Sequence, residues 1–159
     1  MEAFYSWFVF AHVVGLVVFA ICHGASAFMA FRIRGERDPA VVDALLRIGA
    51  MSVGPMYIGL LLIAIGGLGA AAGMDLWGRP WIIASIVVFV AVLVVMWAVA
   101  SPYYMGLRKE LAVRGVDGRP AIDPAVLAPM LDTRRPEILA TVGTVGLVAL
   151  VWLMVIKPG

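Results

Sequence analysis

The sequence predicts an all-α integral membrane protein built as a bundle of four transmembrane helices. Hydrophobic residues make up 64% of the 159 residues, charged residues only 14%, and the mean hydropathy is +1.04. Soluble domains carry about 25% charged residues, so this composition excludes an ordinary soluble domain. Four apolar stretches are each long enough to cross a bilayer, which takes about 20 apolar residues. We therefore expect a single transmembrane domain over residues 1–159.

The first predicted span covers about residues 6–31 and contains both histidines of the chain, His12 and His23. Its apolar run is too long for the core of a signal peptide, no positive charge precedes it, and Arg32 and Arg34 follow it. On a helix that turns about 100° per residue, the two histidines share nearly the same face, about 16 Å apart along the axis. Cys22 is the sole cysteine, so an intramolecular disulfide is excluded.

The second span is predicted at about residues 50–73, after a polar loop at about residues 32–49. Within that loop, Asp38 and Pro39 are typical of a helix N-cap and a first helical residue. Apolar residues at Val42 and Leu46 then predict an interfacial helix that leads into the span. The span itself is rich in glycine, which lets neighbouring helices approach closely. These glycines are Gly59, Gly66, Gly67, Gly69 and Gly73.

The third and fourth spans are predicted at about residues 81–105 and 136–156, with a second polar loop at about residues 106–135 between them. Aromatic residues lie at or near the two ends of the third span, where interfacial aromatic belts occur: Trp77, Trp81, Tyr103 and Tyr104. Of the twelve Lys and Arg residues, all but Arg79 and Lys157 lie in the two polar loops. The positive-inside rule therefore places both loops in the cytoplasm of a bacterial inner membrane and both termini outside.

A short sequence echo suggests two repeated helical hairpins. Asp38-Pro39-Ala40-Val41 precedes the second span, and Asp123-Pro124-Ala125-Val126 precedes the fourth. Parallel repeats related by an axis along the membrane normal would produce this order. The alternative is that Asp-Pro is simply a common way to begin a helix.

The depth of each residue, at about 1.5 Å per residue, separates the two histidines. His23 lies in the inner half, level with candidate hydrogen-bond partners at Tyr57, Ser101 and Thr141. His12 lies in the outer half, beside the glycines of the second span, where we expect fewer polar neighbours and more open volume. A flat cofactor could lie there, so His12 is the better ligand candidate.

Intramembrane histidines predict either a functional site or interhelical hydrogen bonding. Haem b is the leading cofactor hypothesis, with His12 and His23 as the candidate ligands, because imidazole is a common axial ligand of haem iron and each histidine could hold a haem at its own depth. The second axial position of the haem iron would be filled by Met96 or by a histidine of another subunit, or it would stay open. Copper held by histidine and methionine is an alternative. A single metal ion held by both histidines is excluded, because metal–nitrogen bonds are about 2 Å long and the two histidines are about 16 Å apart along the helix.

Four short motifs resemble a bacterial family of small four-span membrane proteins of unknown function. They are His12-Val13-x-Gly15, His23-Gly24-x-Ser26, the exit from Arg32 to Pro39, and Met154-x-x-Lys157-Pro158. That family is distantly similar to the copper-resistance D membrane domain and to J-type protoporphyrinogen oxidase. The resemblance implies that His12 is the position associated with haem or metal in the first span.

Together these observations predict a haem- or metal-associated membrane component in redox or metal handling, with no assigned catalytic residue. The competing hypothesis is a non-catalytic accessory or assembly subunit that packs against a larger membrane complex. Expected partners are the lipid bilayer and either a second copy of the chain or that larger complex. The charged loops mix both signs, and no pattern for nucleic-acid binding is present.

Overall fold

The computed structural model describes residues 2–158, and within them the regular structure is helical apart from one isolated β-bridge between Arg114 and Pro120. Six helices follow one another along the chain. They are α1 (Glu2–Arg34), α2 (Pro39–Met51), α3 (Val53–Gly73), α4 (Pro80–Leu111), α5 (Pro124–Leu131) and α6 (Arg135–Ile156). Four stretches, built around α1, α3, α4 and α6, are long and apolar enough to cross a membrane. The predicted all-α membrane bundle is confirmed.

Two helix boundaries differ from the sequence-based ones for physical reasons. The chain breaks between α2 and α3 at Ser52. The break falls there because Pro55 has no N–H for the carbonyl of Met51, four residues earlier. Helix α4 continues through the start of the predicted loop to Leu111. Leu107 and Leu111, four residues apart, are both fully buried, so this extra turn packs an apolar face.

The four spans associate as two helix pairs, α1 with α3 and α4 with α6, and the pairs meet where α1 contacts α6. In the first pair the backbones touch. A Cβ atom added at Gly15 would lie 2.7 Å from the carbonyl oxygen of Gly59, and one added at Gly59 would lie 2.9 Å from the amide nitrogen of Phe19. Glycine at both positions is therefore what allows α1 and α3 to pack this closely.

A short helix lies between the two spans of each pair along the chain, and each short helix begins at one of the repeated Asp-Pro sequences. The Asp38 carboxylate accepts a hydrogen bond from the Ala40 N–H at 2.8 Å, and Asp123 accepts one from Ala125 at 2.8 Å. Helices α1 and α4 have 33 and 32 residues, and α3 and α6 have 21 and 22. The halves α1–α2–α3 and α4–α5–α6 thus share the same order of elements.

The main hydrophobic core lies at the end of the molecule where α1 and α4 finish, which we call the basic end. It is formed by eight buried residues from α1, α2, α4 and α5: Ile33, Val42, Leu46, Tyr103, Leu107, Leu111, Leu127 and Leu131. Ion pairs tie the first half to the second beside this core, from Arg34 to Glu137 and from Arg37 to Asp132 at 3.1 Å. In the turn between α1 and α2, backbone N–H donors of Asp38 and Arg37 hold the pKa of Glu36 below its ordinary value.

Candidate functional site

His12 lies on the seam between α1 and α3, where the two backbones are in contact. A Cβ atom added at Gly66 would lie 2.6 Å from the His12 amide nitrogen. One added at Gly67 would lie 3.0 Å from Nδ1 and 3.1 Å from Cε1 of the His12 ring. The neighbouring Gly69 is covered by the ring of Phe8. The prediction of open volume beside these glycines is wrong, because α1 itself fills it.

The ring of His12 has a defined hydrogen bond across this seam. Its Nδ1 is 2.7 Å from the carbonyl oxygen of Ile63 in α3. A carbonyl oxygen can only accept, so Nδ1 carries the hydrogen, and in the neutral ring Nε2 carries a lone pair. The ring is half-buried, and Nε2 makes no hydrogen bond to any of the described residues. His12 is therefore an oriented imidazole with an unused acceptor nitrogen.

His23 lies at the junction of the two helix pairs. Its ring stacks on Phe19, with centroids 5.4 Å apart and an angle of 8° between the planes. A Cβ atom added at Gly143 of α6 would lie 2.6 Å from Cε1 of the ring and would also clash with Nε2. Gly143 thus makes space for the imidazole at the contact between α1 and α6.

The Nε2 atom of His23 is buried and has no hydrogen-bond partner among residues 2–158. The prediction that hydroxyl groups at its level would satisfy it is wrong. Tyr57 is 59% exposed and Thr141 is also exposed, so both side chains face away from the junction. Ser101 is half-buried on α4, which packs mainly against α6. The expected hydrogen bonding is reversed, since His12 has a hydrogen-bond partner and Nε2 of His23 has none among the described residues.

The other candidate ligand, Met96, is half-buried on α4. That helix pairs with α6, whereas His12 lies on the seam with α3. Within the described part of the chain, no group of three or more His, Cys, Asp and Glu side chains could hold a metal ion. A metal ion at His12 would therefore find no cluster of these four side-chain types among residues 2–158 to complete its coordination.

Comparison with known proteins places the chain in a family. Residues 6–158 match the family described as "Predicted integral membrane protein (DUF2269)". The chain belongs to this family. No curated protein and no solved structure matches the chain. The match supports the resemblance to an uncharacterised family of membrane proteins, but gives no support to the distant similarity with the copper-resistance D domain or with J-type protoporphyrinogen oxidase.

The sequence contains patterns that indicate the stacking of Phe19 on His23 and the close helix contact at Gly143. It contains no pattern that indicates the hydrogen bond from His12 to Ile63. Phe19 lies four residues before His23, the spacing at which side chains meet on a helix. Gly143 and Gly146 lie three residues apart, a small-residue pattern typical of close helix contacts. The carbonyl of Ile63 is a backbone group, and no side-chain pattern indicates it. The orientation of His12 is therefore visible only in the structure.

Proposed function

We propose that this integral membrane protein binds a haem or other metal-containing group through Nε2 of His12 and takes part in redox or metal handling. The observation that carries the proposal is the hydrogen bond from Nδ1 to the carbonyl of Ile63. Metal-ligating histidines usually donate their other ring N–H to a carbonyl or carboxylate, which fixes the tautomer and the direction of the ligand nitrogen. His12 has this arrangement, with Nδ1 directed at the carbonyl of Ile63.

Haem b suits the donor set better than a bare metal ion does. A bare ion needs about four ligands from its surroundings, and the described residues offer no such cluster. Haem brings its own equatorial nitrogens and needs only axial ligands from the protein. Because Nδ1 and Cε1 of His12 face α3, the group would approach Nε2 from outside the α1–α3 seam. A bound haem would supply one-electron chemistry at that position.

The orientation of the protein in the membrane is also part of this proposal. We place the basic end in the cytoplasm of a bacterial inner membrane, with both termini outside, because ten of the twelve Lys and Arg residues lie there and only Arg79 and Lys157 do not. A reporter enzyme fused after residue 159 tests this. Activity of a periplasmic reporter supports the orientation, and activity of a cytoplasmic reporter contradicts it.

The absorption spectrum of the purified full-length protein tests the ligand. The protein should be produced in haem-replete bacterial cells, and we expect a Soret band that is lost in His12→Ala. His12→Asn is the matched variant. Its side-chain amide can still donate to the carbonyl of Ile63 but has no nitrogen in the place of Nε2. Loss of the band in His12→Asn, with an unchanged melting temperature, assigns Nε2 as the ligand.

Two outcomes would overturn the proposal. A colourless, metal-free wild-type protein would show that nothing is bound, and co-purification with larger membrane subunits would then favour the accessory role. A Soret band that persists in His12→Asn would show that the ligand lies elsewhere. In both cases the hydrogen bond to Ile63 would be a structural link between helices, of the kind common in membrane proteins.

A further inference from the structure

Two adjoining cavities lie at the basic end, between α2 and the helices α1 and α4. Both are lined largely by apolar surface, but the second is bordered by four charged residues, so we call the first the apolar groove and the second the basic pocket. The apolar groove is lined mainly by Met29, Ala30, Leu45, Gly49, Val53 and Tyr104. Val53 is the first residue of α3, so this groove reaches the level at which the second span begins.

The basic pocket has a volume of about 210 Å³ and is bordered by three arginines, Arg47, Arg108 and Arg114, and one acid, Asp43. A single oxygen of the Asp43 carboxylate accepts from Arg47 at 3.0 Å and from Arg114 at 3.0 Å. Each guanidinium has five N–H donors, so both keep donors that this carboxylate does not use. Three positive charges against one negative charge leave the pocket with an excess of positive charge.

Arg108 connects the two cavities. It lines both of them, as does Leu46. Its side chain is exposed, and it forms no ion pair with any residue from 2 to 158. The site therefore combines an unpaired guanidinium, two oriented guanidiniums and an adjoining apolar groove at the depth where the polar loops meet the spans.

From this combination we infer that the two cavities form one binding site for an anionic phospholipid. The phosphate lies in the basic pocket against Arg108, and part of an acyl chain lies in the apolar groove beside Gly49. Basic pockets between transmembrane helices are known to bind anionic head groups. Charge complementarity selects an anion, and the apolar groove selects a lipid over a soluble phosphate. This site is separate from His12 and does not depend on any cofactor.

Titration of the full-length protein in neutral detergent tests the site, with binding measured by native mass spectrometry. Short-chain phosphatidylglycerol should bind, and phosphatidylcholine should bind much more weakly. Arg108→Gln should weaken phosphatidylglycerol binding about fivefold, the effect of one basic residue near an anionic surface. Lys109→Gln is the matched control, because it removes the same charge from the next residue of α4, which lines neither cavity. It should leave binding unchanged.

A second pair of variants tests the groove. A Cβ atom added at Gly49 would lie 3.9 Å from the Cβ of Met29, so the larger side chain of Gly49→Leu must extend into the groove. This variant should weaken lipid binding. Gly54→Leu makes the same chemical change at a position with nothing within 4 Å and should bind as the wild type does. Circular dichroism of each variant checks that the helices are intact.

Three results would overturn the inference. Equal losses in Arg108→Gln and Lys109→Gln would show diffuse charge attraction and no site. Both lipids contain a phosphate, but only phosphatidylglycerol has a net negative charge, so equal binding of the two would show that the net charge of the head group is not recognised. Displacement of the lipid by inorganic phosphate, together with unchanged binding in Gly49→Leu, would show a site for a soluble anion.

Discussion

His12 and His23 lie on one helix, three turns apart, yet their surroundings differ in kind. His12 lies where two backbones touch, and its ring donates to a backbone carbonyl across the seam. His23 lies where one side chain meets a glycine on another helix pair, and its Nε2 is buried without a partner. In this protein, polar residues at the depth of His23 do not provide it with a hydrogen bond, whereas the close approach of the α1 and α3 backbones brings the carbonyl of Ile63 within reach of His12.

The difference predicts that an added methyl group at the α1–α3 seam lowers stability more than one added elsewhere in the bundle. In Gly66→Ala the new Cβ would lie 2.6 Å from a backbone nitrogen and 2.9 Å from the Cα of His12, so one helix must move. We expect the free energy of unfolding to fall by about 3 kcal/mol, the upper range for overpacking. Unfolding in sodium dodecyl sulfate measures it. Gly54→Ala, which meets nothing within 4 Å, is the control and should be neutral or slightly stabilising.

The α1–α6 junction should respond more mildly to the same change. The three atoms nearest to a Cβ at Gly143 all belong to the His23 ring, which can rotate, so we expect Gly143→Ala to lower the free energy of unfolding by about 2 kcal/mol. Removing the ring should remove most of this cost. We expect Gly143→Ala to be nearly neutral in the His23→Ala background, as found for residues in direct contact. Additive effects of the two changes would show that His23 does not fill the space at Gly143.

Replacing His23 by phenylalanine should stabilise the protein. The new ring can keep the stacking on Phe19 and removes the unpaired nitrogen from an apolar contact. An unsatisfied buried polar group costs about 1 kcal/mol or more, so we expect a gain of about that size. His12→Phe should change stability in the opposite direction, because it loses the donor to Ile63. Destabilisation by His23→Phe would indicate that Nε2 has a partner in the membrane.

Much of the fold could be predicted from the sequence, because the signals are local. Apolar length identified the spans, and Asp38 and Asp123 cap helices because an aspartate before proline is a local N-cap signal. The position of Leu107 and Leu111 was misjudged. Their segment is rich in charges, and only the packing against α2 and α5 shows that one face of it is buried.

The candidate site could be predicted only in part. Its residue type and helix follow from the sequence, since both histidines lie in the first span. The hydrogen bonding of the two histidines was predicted wrongly, because depth along a helix says nothing about rotation around it. Tyr57 and Thr141 share the level of His23 but point outwards. The glycines beside His12 were taken as open space, whereas they bring the two helices into contact.

The smallest stability change that we expect comes from removing the hydrogen bond between His12 and Ile63, and it tests whether this bond orients the His12 ring. Interhelical hydrogen bonds in membrane proteins contribute about 0.6 kcal/mol on average, so His12→Ala should lower the free energy of unfolding by about that amount. His12→Asn should retain most of it, because the amide can donate to the carbonyl of Ile63. Unfolding in sodium dodecyl sulfate measures both variants on protein without added cofactor. If His12→Asn is as unstable as His12→Ala, the Ile63 carbonyl does not orient the ring, and the case for Nε2 as a directed ligand nitrogen fails with it.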